Sequence, residues 1–235
     1  MPVSVESILA SLQQAEQPLR TPAMRSIAMA AAKELRQSRA DAESVFTLCD
    51  DLIELDELHD AARTVAFEIA YRHRGLRDAL DVQKLERLGR TLDGWASVDH
   101  FARKLSGPAW QRNQISDEHV LAWTRSEGFW WQRVGLVSTI ALNERHLGKG
   151  DAARTLAICE LFIDDRRDLH VKALSWALRE LGQRDPVPVQ EFIEQHRDRL
   201  ASKIIREVQN KLTTGHKMAK PSEAMQRRMQ ARART

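Results

Sequence analysis

The run VKALSWALREL, residues 171–181, reads as one amphipathic helix and sets the pattern for the rest of the chain. Stepping about 100° per residue from Val171, the residues Leu174, Leu178 and Leu181 fall at roughly 300°, 340° and 280°, one compact apolar stripe. Trp176 falls at roughly 140°, almost opposite, with Lys172 and Arg179 beside it at roughly 100° and 80°. A tryptophan on the cationic face is not filling its own helix's core. Two readings stand: a contact with a neighbouring helix, or an aromatic platform flanked by cations that bind phosphate.

The same periodicity extends in both directions. Glycine and proline, 10 and 7 in 235 residues, concentrate between periodic segments, and no stretch alternates long enough to predict a strand. The pattern predicts about twelve helices, near 4–16, 22–38, 41–55, 57–73, 76–90, 95–106, 116–126, 128–146, 149–164, 167–183, 186–197 and 199–212. Thr21-Pro22, Ser116 with Asp117 and Glu118, and Asp185-Pro186 read as helix starts, and Gly148 and Gly182 as helix stops. The helices pair across short connections, the spacing of HEAT or armadillo repeats. The expected fold is therefore all-α: a curved solenoid of paired antiparallel helices over residues 1–212, followed by a basic tail over 213–235.

Net charge is +3, from 36 Lys+Arg against 33 Asp+Glu, but it is unevenly spread. Residues 1–99 are net −5, 100–212 net +3 and 213–235 net +5. That excludes a uniformly basic nucleic-acid coat and allows a one-sided basic surface. Asp50, Asp51, Glu54, Asp56, Glu57 and Asp60 form the acidic peak, read as a solvated face together with His59. No apolar run approaches a membrane span, and Met1–Ile8 carries Glu6 and no basic residue, unlike a signal peptide. Two isolated cysteines, Cys49 and Cys159, give neither a disulfide scaffold nor a zinc framework and suit a reducing cytosol.

Three features resist a purely structural role. All six tryptophans (95, 110, 123, 130, 131 and 176) lie in one stretch of the chain, against a single tyrosine, Tyr71. Arg133 falls within the apolar face formed by Trp130, Val134, Val137, Ile140 and Ala141. A guanidinium there needs a carboxylate or phosphate, so Arg133 either pairs with a buried acid or lines a ligand surface. In Trp95-Ala-Ser-Val-Asp99 the tryptophan and the aspartate stand at i and i+4, on one helical face, although Asp99 could equally cap the helix that carries Phe101 and Leu105. His100, next to Asp99, reads as a surface residue. There is no glycine-rich phosphate loop, and the eight histidines offer no metal-ligand spacing.

Taken together, Trp95–Asp99, Trp130-Trp131-Gln132-Arg133-Val134 and Lys172–Glu180 resemble, in order and approximate spacing, the AlkD-type DNA alkylation-repair family. These are alkylpurine DNA glycosylases built of HEAT-like repeats. The resemblance is best over 90–212. It implies that Asp99 is the catalytic carboxylate and that Trp95 and Trp176 cradle the lesion nucleotide's sugar and backbone. Arg133, Lys172 and Arg179 would face DNA. The expected partner is double-stranded DNA containing alkylated bases, bound by a monomer in the cytoplasm or on the nucleoid, with no membrane association. No cofactor and no metal are expected. The activity so implied is hydrolysis of the N-glycosidic bond of cationic 7-methylguanine or 3-methyladenine, leaving an abasic site. The alternatives are a non-catalytic repeat module that binds damaged or unusual DNA, and a scaffold that takes a protein partner on the acidic 50–60 surface. The segment between Arg133 and Trp176, including His146–Ala153, departs from the family pattern in length.

Overall fold

The structure is a computed structural model and describes residues 3–218; of the basic tail expected over 213–235, residues 213 and 214 end the last helix and those from 219 onward lie outside the described residues. Every regular element among the described residues is helical. The first six helices are α1 (Val5–Gln14), α2 (Thr21–Gln37), α3 (Ala42–Ile53), α4 (His59–Arg72), α5 (Arg74–Asp78) and α6 (Val82–Gly89). Next, α7 (Trp95–Phe101) runs through a π-helical turn (Ala102–Ser106) into α8 (Gly107–Gln111). Then come α9 (Asp117–Arg125), α10 (Phe129–Asn143), α11 (Ala152–Glu160), α12 (Asp168–Gly182), α13 (Pro186–Gln195) and α14 (Ser202–Thr214).

Local chemistry explains most boundaries. Ser4 and Ser7 cap α1 reciprocally, while Asp41, Asp81 and Asp151 each accept a backbone N–H three residues on, satisfying donors that a helix start leaves free. The Asp81 cap divides the single helix expected over 76–90 into α5 and α6. Thr21 is the first residue of α2 rather than its cap. Ser116 stands at an N-cap position, but its hydroxyl bonds His119 instead of the backbone. The helix expected to end near 146 stops at Asn143, and Gly148 lies in the turn beyond it.

The helix starting at Trp95 runs on to Gln111, past the expected end at 106. Pro108 sits inside it, lacking an N–H, and its ring would strike the carbonyl of Lys104 in α-register. The π turn widens the helix there: the Gly107 N–H reaches back five residues to the Ala102 carbonyl. Gly107 also lets this helix cross α10 closely. A Cβ on it would stand 2.7 Å from both the Ala141 Cβ and the Ser138 carbonyl oxygen. At the same crossing the Ser106 and Ser138 hydroxyls hydrogen-bond at 2.8 Å.

One continuous apolar core runs from Ile8 in α1 to Val208 in α14. Packing links helices that are not chain neighbours: α2 with α4, α4 with α7, α7 with α10, α10 with α12, and α12 with α14. Trp110 and Trp123 are buried in this core, their indole N–H groups satisfied by Asp117 at 2.7 Å and Glu86 at 2.9 Å. Trp130 and Trp131 pack partly buried against it. Cys49 and Cys159 are buried thiols whose pKa burial pushes far up, so they act as small apolar fillers. The acidic cluster is not a uniformly solvated face. Asp50 is buried and ion-paired with Arg87 and Arg90, Glu54 pairs with Arg90, and Asp60 with Arg63.

Candidate active site

Asp99 and Arg133 stand 34 positions apart and meet in the fold. Arg133 donates from Nε and Nη2 to the two oxygens of Asp99, each at 2.9 Å, the fork-on-carboxylate geometry that makes the strongest ion pairs. Its remaining nitrogen, Nη1, donates to the Leu169 carbonyl at the start of α12. One guanidinium on α10 thus ties α7 to α12, the helices that carry Trp95 and Trp176. Arg133 is 4% exposed and fully engaged, so of the two readings its sequence left open, the pair with an acid is the one found, although that acid, Asp99, is only partly buried. Burial raises the Asp99 pKa above the ordinary aspartate range, against the downward pull of the Arg133 hydrogen bonds.

The Leu169 carbonyl is itself held in place. The buried His170 ring bonds Asp165 through Nδ1 at 2.8 Å and stacks on Phe129 with ring centres 4.5 Å apart. Arg167 lies over the Phe129 ring at 5.1 Å and pairs with Asp165. This cluster fixes the loop leading into α12.

Trp95, Asp99, His100 and Arg103 line one cleft of about 750 Å³, whose opposite wall comes from α2 and α4. Trp95 begins α7 and is 58% exposed, so this large apolar side chain supports no core. The loop before it is pinned by Arg63, buried in the core, which bonds the Thr91 carbonyl and pairs with Asp60 and Asp93. Trp176 is partly buried, with Arg103 lying over its ring at 5.4 Å and its indole N–H on Glu180 at 3.1 Å. Arg103 therefore joins the cleft to Trp176.

The other two cations expected to face DNA differ from each other. Lys172 is exposed and pairs with Asp168 at 2.6 Å. Arg179 folds back onto the Ser175 carbonyl at 3.1 Å, and burial lowers its pKa. His100 is not a surface residue. It lines the cleft, packs edge-on against Phe67 and meets the buried carboxylate of Glu68 at 3.3 Å. Arg103, Lys104 and Arg25 also line the cleft and went unnoticed in the sequence. The available signal was the i, i+4 spacing of Asp99 with Arg103 and of His100 with Lys104. Among the described residues no cluster of His, Cys, Asp or Glu could hold a metal ion.

Two consequences of this geometry can be measured. Trp95→Ala removes an exposed ring, so stability should change by no more than about 0.5 kcal/mol, a melting shift within about 2 °C, while any function of the cleft suffers. A fall of several degrees would make Trp95 structural. Acid sensitivity is the second. Burial would raise the Glu68 pKa, but hydrogen bonding to His100 and the charges of His100, Lys104 and Arg72 bring it down from 4.5 to about 2. Asp165 likewise falls from 3.8 to about 2, where Arg167 and His170 bonds outweigh its burial. Folded-state values below the unfolded ones stabilise the protein above about pH 4.5, and that contribution is lost as pH falls toward 2. Denaturant midpoints should hold level above about pH 5 and fall below it, and Glu68→Gln should shrink the fall.

Comparison with known families places this all-helical chain. The family model described as DNA alkylation repair enzyme matches residues 18–212. The chain belongs to that family. No curated protein matches it.

Proposed function

We propose that this protein is a DNA glycosylase that hydrolyses the N-glycosidic bond of cationic alkylated purines, such as 7-methylguanine and 3-methyladenine, in duplex DNA. The observation that carries the reading is the Asp99 carboxylate, locked by Arg133 at the cleft beside an exposed Trp95. We also infer that the helices stack as HEAT-like repeats, a reading favoured by the succession of contacts between helices that are not chain neighbours, from α2 to α14.

The chemistry follows from the substrate. A purine alkylated at N7 or N3 already carries positive charge and leaves readily, so protonating the leaving group gains little. The demanding species is the electron-poor sugar, close to an oxocarbenium ion. A fixed carboxylate beside C1′ opposes that charge and needs no reorganisation as the bond breaks. Two guanidinium hydrogen bonds fix its orientation, and each oxygen keeps a further acceptor position for the sugar or for the attacking water. The exposed face of Trp95 favours a cationic sugar or base over a neutral one, whereas the Trp176 ring already carries Arg103. Selectivity then comes from the lability of the lesion rather than from reading base edges. Base release from duplex DNA containing 7-methylguanine tests this reading; wild-type protein that binds the duplex without releasing base would instead support a non-catalytic DNA-binding module.

A further inference from the structure

The cleft's acids and bases are matched on one side and unmatched on the other. Toward the Trp95 end Asp99 is paired with Arg133, and Asp60 and Asp93 with Arg63. Where α2, α4 and the π turn meet, the carboxylate among the cations is Glu68, 0% exposed. Arg25 Nε stands 3.3 Å from it, Arg72 Nη2 3.0 Å, and His100 Nε2 3.3 Å. Lys104 lies in the same group, and no carboxylate among the described residues comes within 4.0 Å of its ammonium. Its nearest partner is the Tyr71 ring, at 4.3 Å from Nζ. Three permanent cations thus surround one buried anion, and two of them, Arg25 and Lys104, open into the cleft.

Such a cluster of like charges repels itself. Burial lowers the proton affinity of Lys104, and the neighbouring charges of Arg103, Arg25 and Arg72 lower it further, against the pull of Glu68. An anion arriving at the cleft mouth relieves that repulsion, whereas a neutral or cationic ligand does not. The buried Glu68 holds Arg25 in place from below, while half of the Arg25 side chain, 53%, stays exposed. Lys104 follows Asp99 by five residues on the same continuous helix, so the excess charge lies about one turn from the carboxylate.

The geometry points to a phosphodiester-binding subsite formed by Arg25 and Lys104 and organised by Glu68, which takes the DNA backbone phosphate adjacent to the nucleotide held at Trp95 and Asp99. This rests on the glycosylase reading for the identity of the nucleotide, and only for that. The role of Lys104 and Arg25 is to set the register of the strand, so that the sugar meets the carboxylate.

The test is the salt dependence of binding to a duplex carrying a tetrahydrofuran abasic analogue, which cannot be processed by base release. Each phosphate neutralised contributes about −0.9 to the slope of log K against log salt. Arg25→Met/Lys104→Met should make the slope less negative by about one and weaken low-salt binding by about tenfold. Lys104→Arg in a wild-type background should keep the wild-type slope. Arg74→Met, which removes an exposed cation outside the cleft, should change nothing and reports the general charge effect. Should the double variant melt early, Lys104→Met alone, in folded form, should still shift the slope in the same direction. A slope unchanged from wild type in the folded single and double variants overturns the subsite. The expected slope change in the variants, together with no release of 7-methylguanine by the wild-type protein, would overturn the glycosylase reading and leave the subsite standing.

Discussion

Replacing Asp99 with asparagine is expected to slow excision of 7-methylguanine by about 10² to 10³-fold under single-turnover conditions, the usual cost of removing one fixed electrostatic group from a transition state. Asparagine keeps the shape and an oxygen that can accept one Arg133 hydrogen bond, but it leaves the buried guanidinium without its counter-charge, so the variant should melt below wild type and is assayed at a temperature where it is folded. Affinity for duplex DNA with an abasic analogue should change by less than about threefold, because the phosphate contacts come from elsewhere. The lost interaction belongs to the transition state, so the rate falls and binding does not. The wild-type rate should also fall on the acid side at a pH above the ordinary aspartate range, because burial holds the Asp99 pKa up, and this limb should be missing in Asp99→Asn. An Asp99→Asn variant that excises at the wild-type rate would take Asp99 out of the chemistry.

Arg133→Ala is expected to cost both stability and activity. Breaking a buried pair leaves Asp99 charged in a desolvated site, which destabilises by about 3–5 kcal/mol. For a chain of this length that corresponds to a melting temperature lower by roughly 10 °C. The Leu169 carbonyl also loses its donor, so α7 and α12 are no longer tied through α10. Arg133→Lys restores the charge without the fork and should recover part of the stability but little of the rate. The pair Asp99→Asn/Arg133→Ala should be less destabilised than the sum of its single variants, since the two side chains share one interaction. A melting temperature for Arg133→Ala within about 2 °C of wild type would mean that the pair carries no structural load.

Helical periodicity carried most of the fold, and specific chemistry the exceptions. Amphipathic stripes such as Leu174, Leu178 and Leu181 are buried as their spacing requires. The break between α5 and α6 was hidden because Asp81 is both a tolerable helix residue and a good cap, and only tertiary context chooses. The π turn escaped because Pro108 reads as a terminator, whereas a widened turn and Gly107 let the helix pass it. Within the site, the i, i+4 spacing placed Trp95 and Asp99 together. The partner of Arg133 could not be read, since a buried guanidinium demands an acid without saying which of many carboxylates answers. Asp50 was misread for the converse reason: its partners, Arg87 and Arg90, lie on another helix. His100 and Lys104 share one helix at i, i+4, but Arg25 and Glu68 come from α2 and α4, and no local pattern brings those to them. Trp176 proved intermediate: off its helix's own stripe, as its angle indicated, yet covered by Arg103.

The most direct test is release of free base. Purified protein in excess over duplex DNA carrying a single 7-methylguanine, at low salt, should liberate 7-methylguanine and leave an abasic site in that strand, while Asp99→Asn binds the same duplex and liberates it far more slowly. Absence of released base above the spontaneous background, from wild-type protein that is folded and bound to the duplex, would contradict the account.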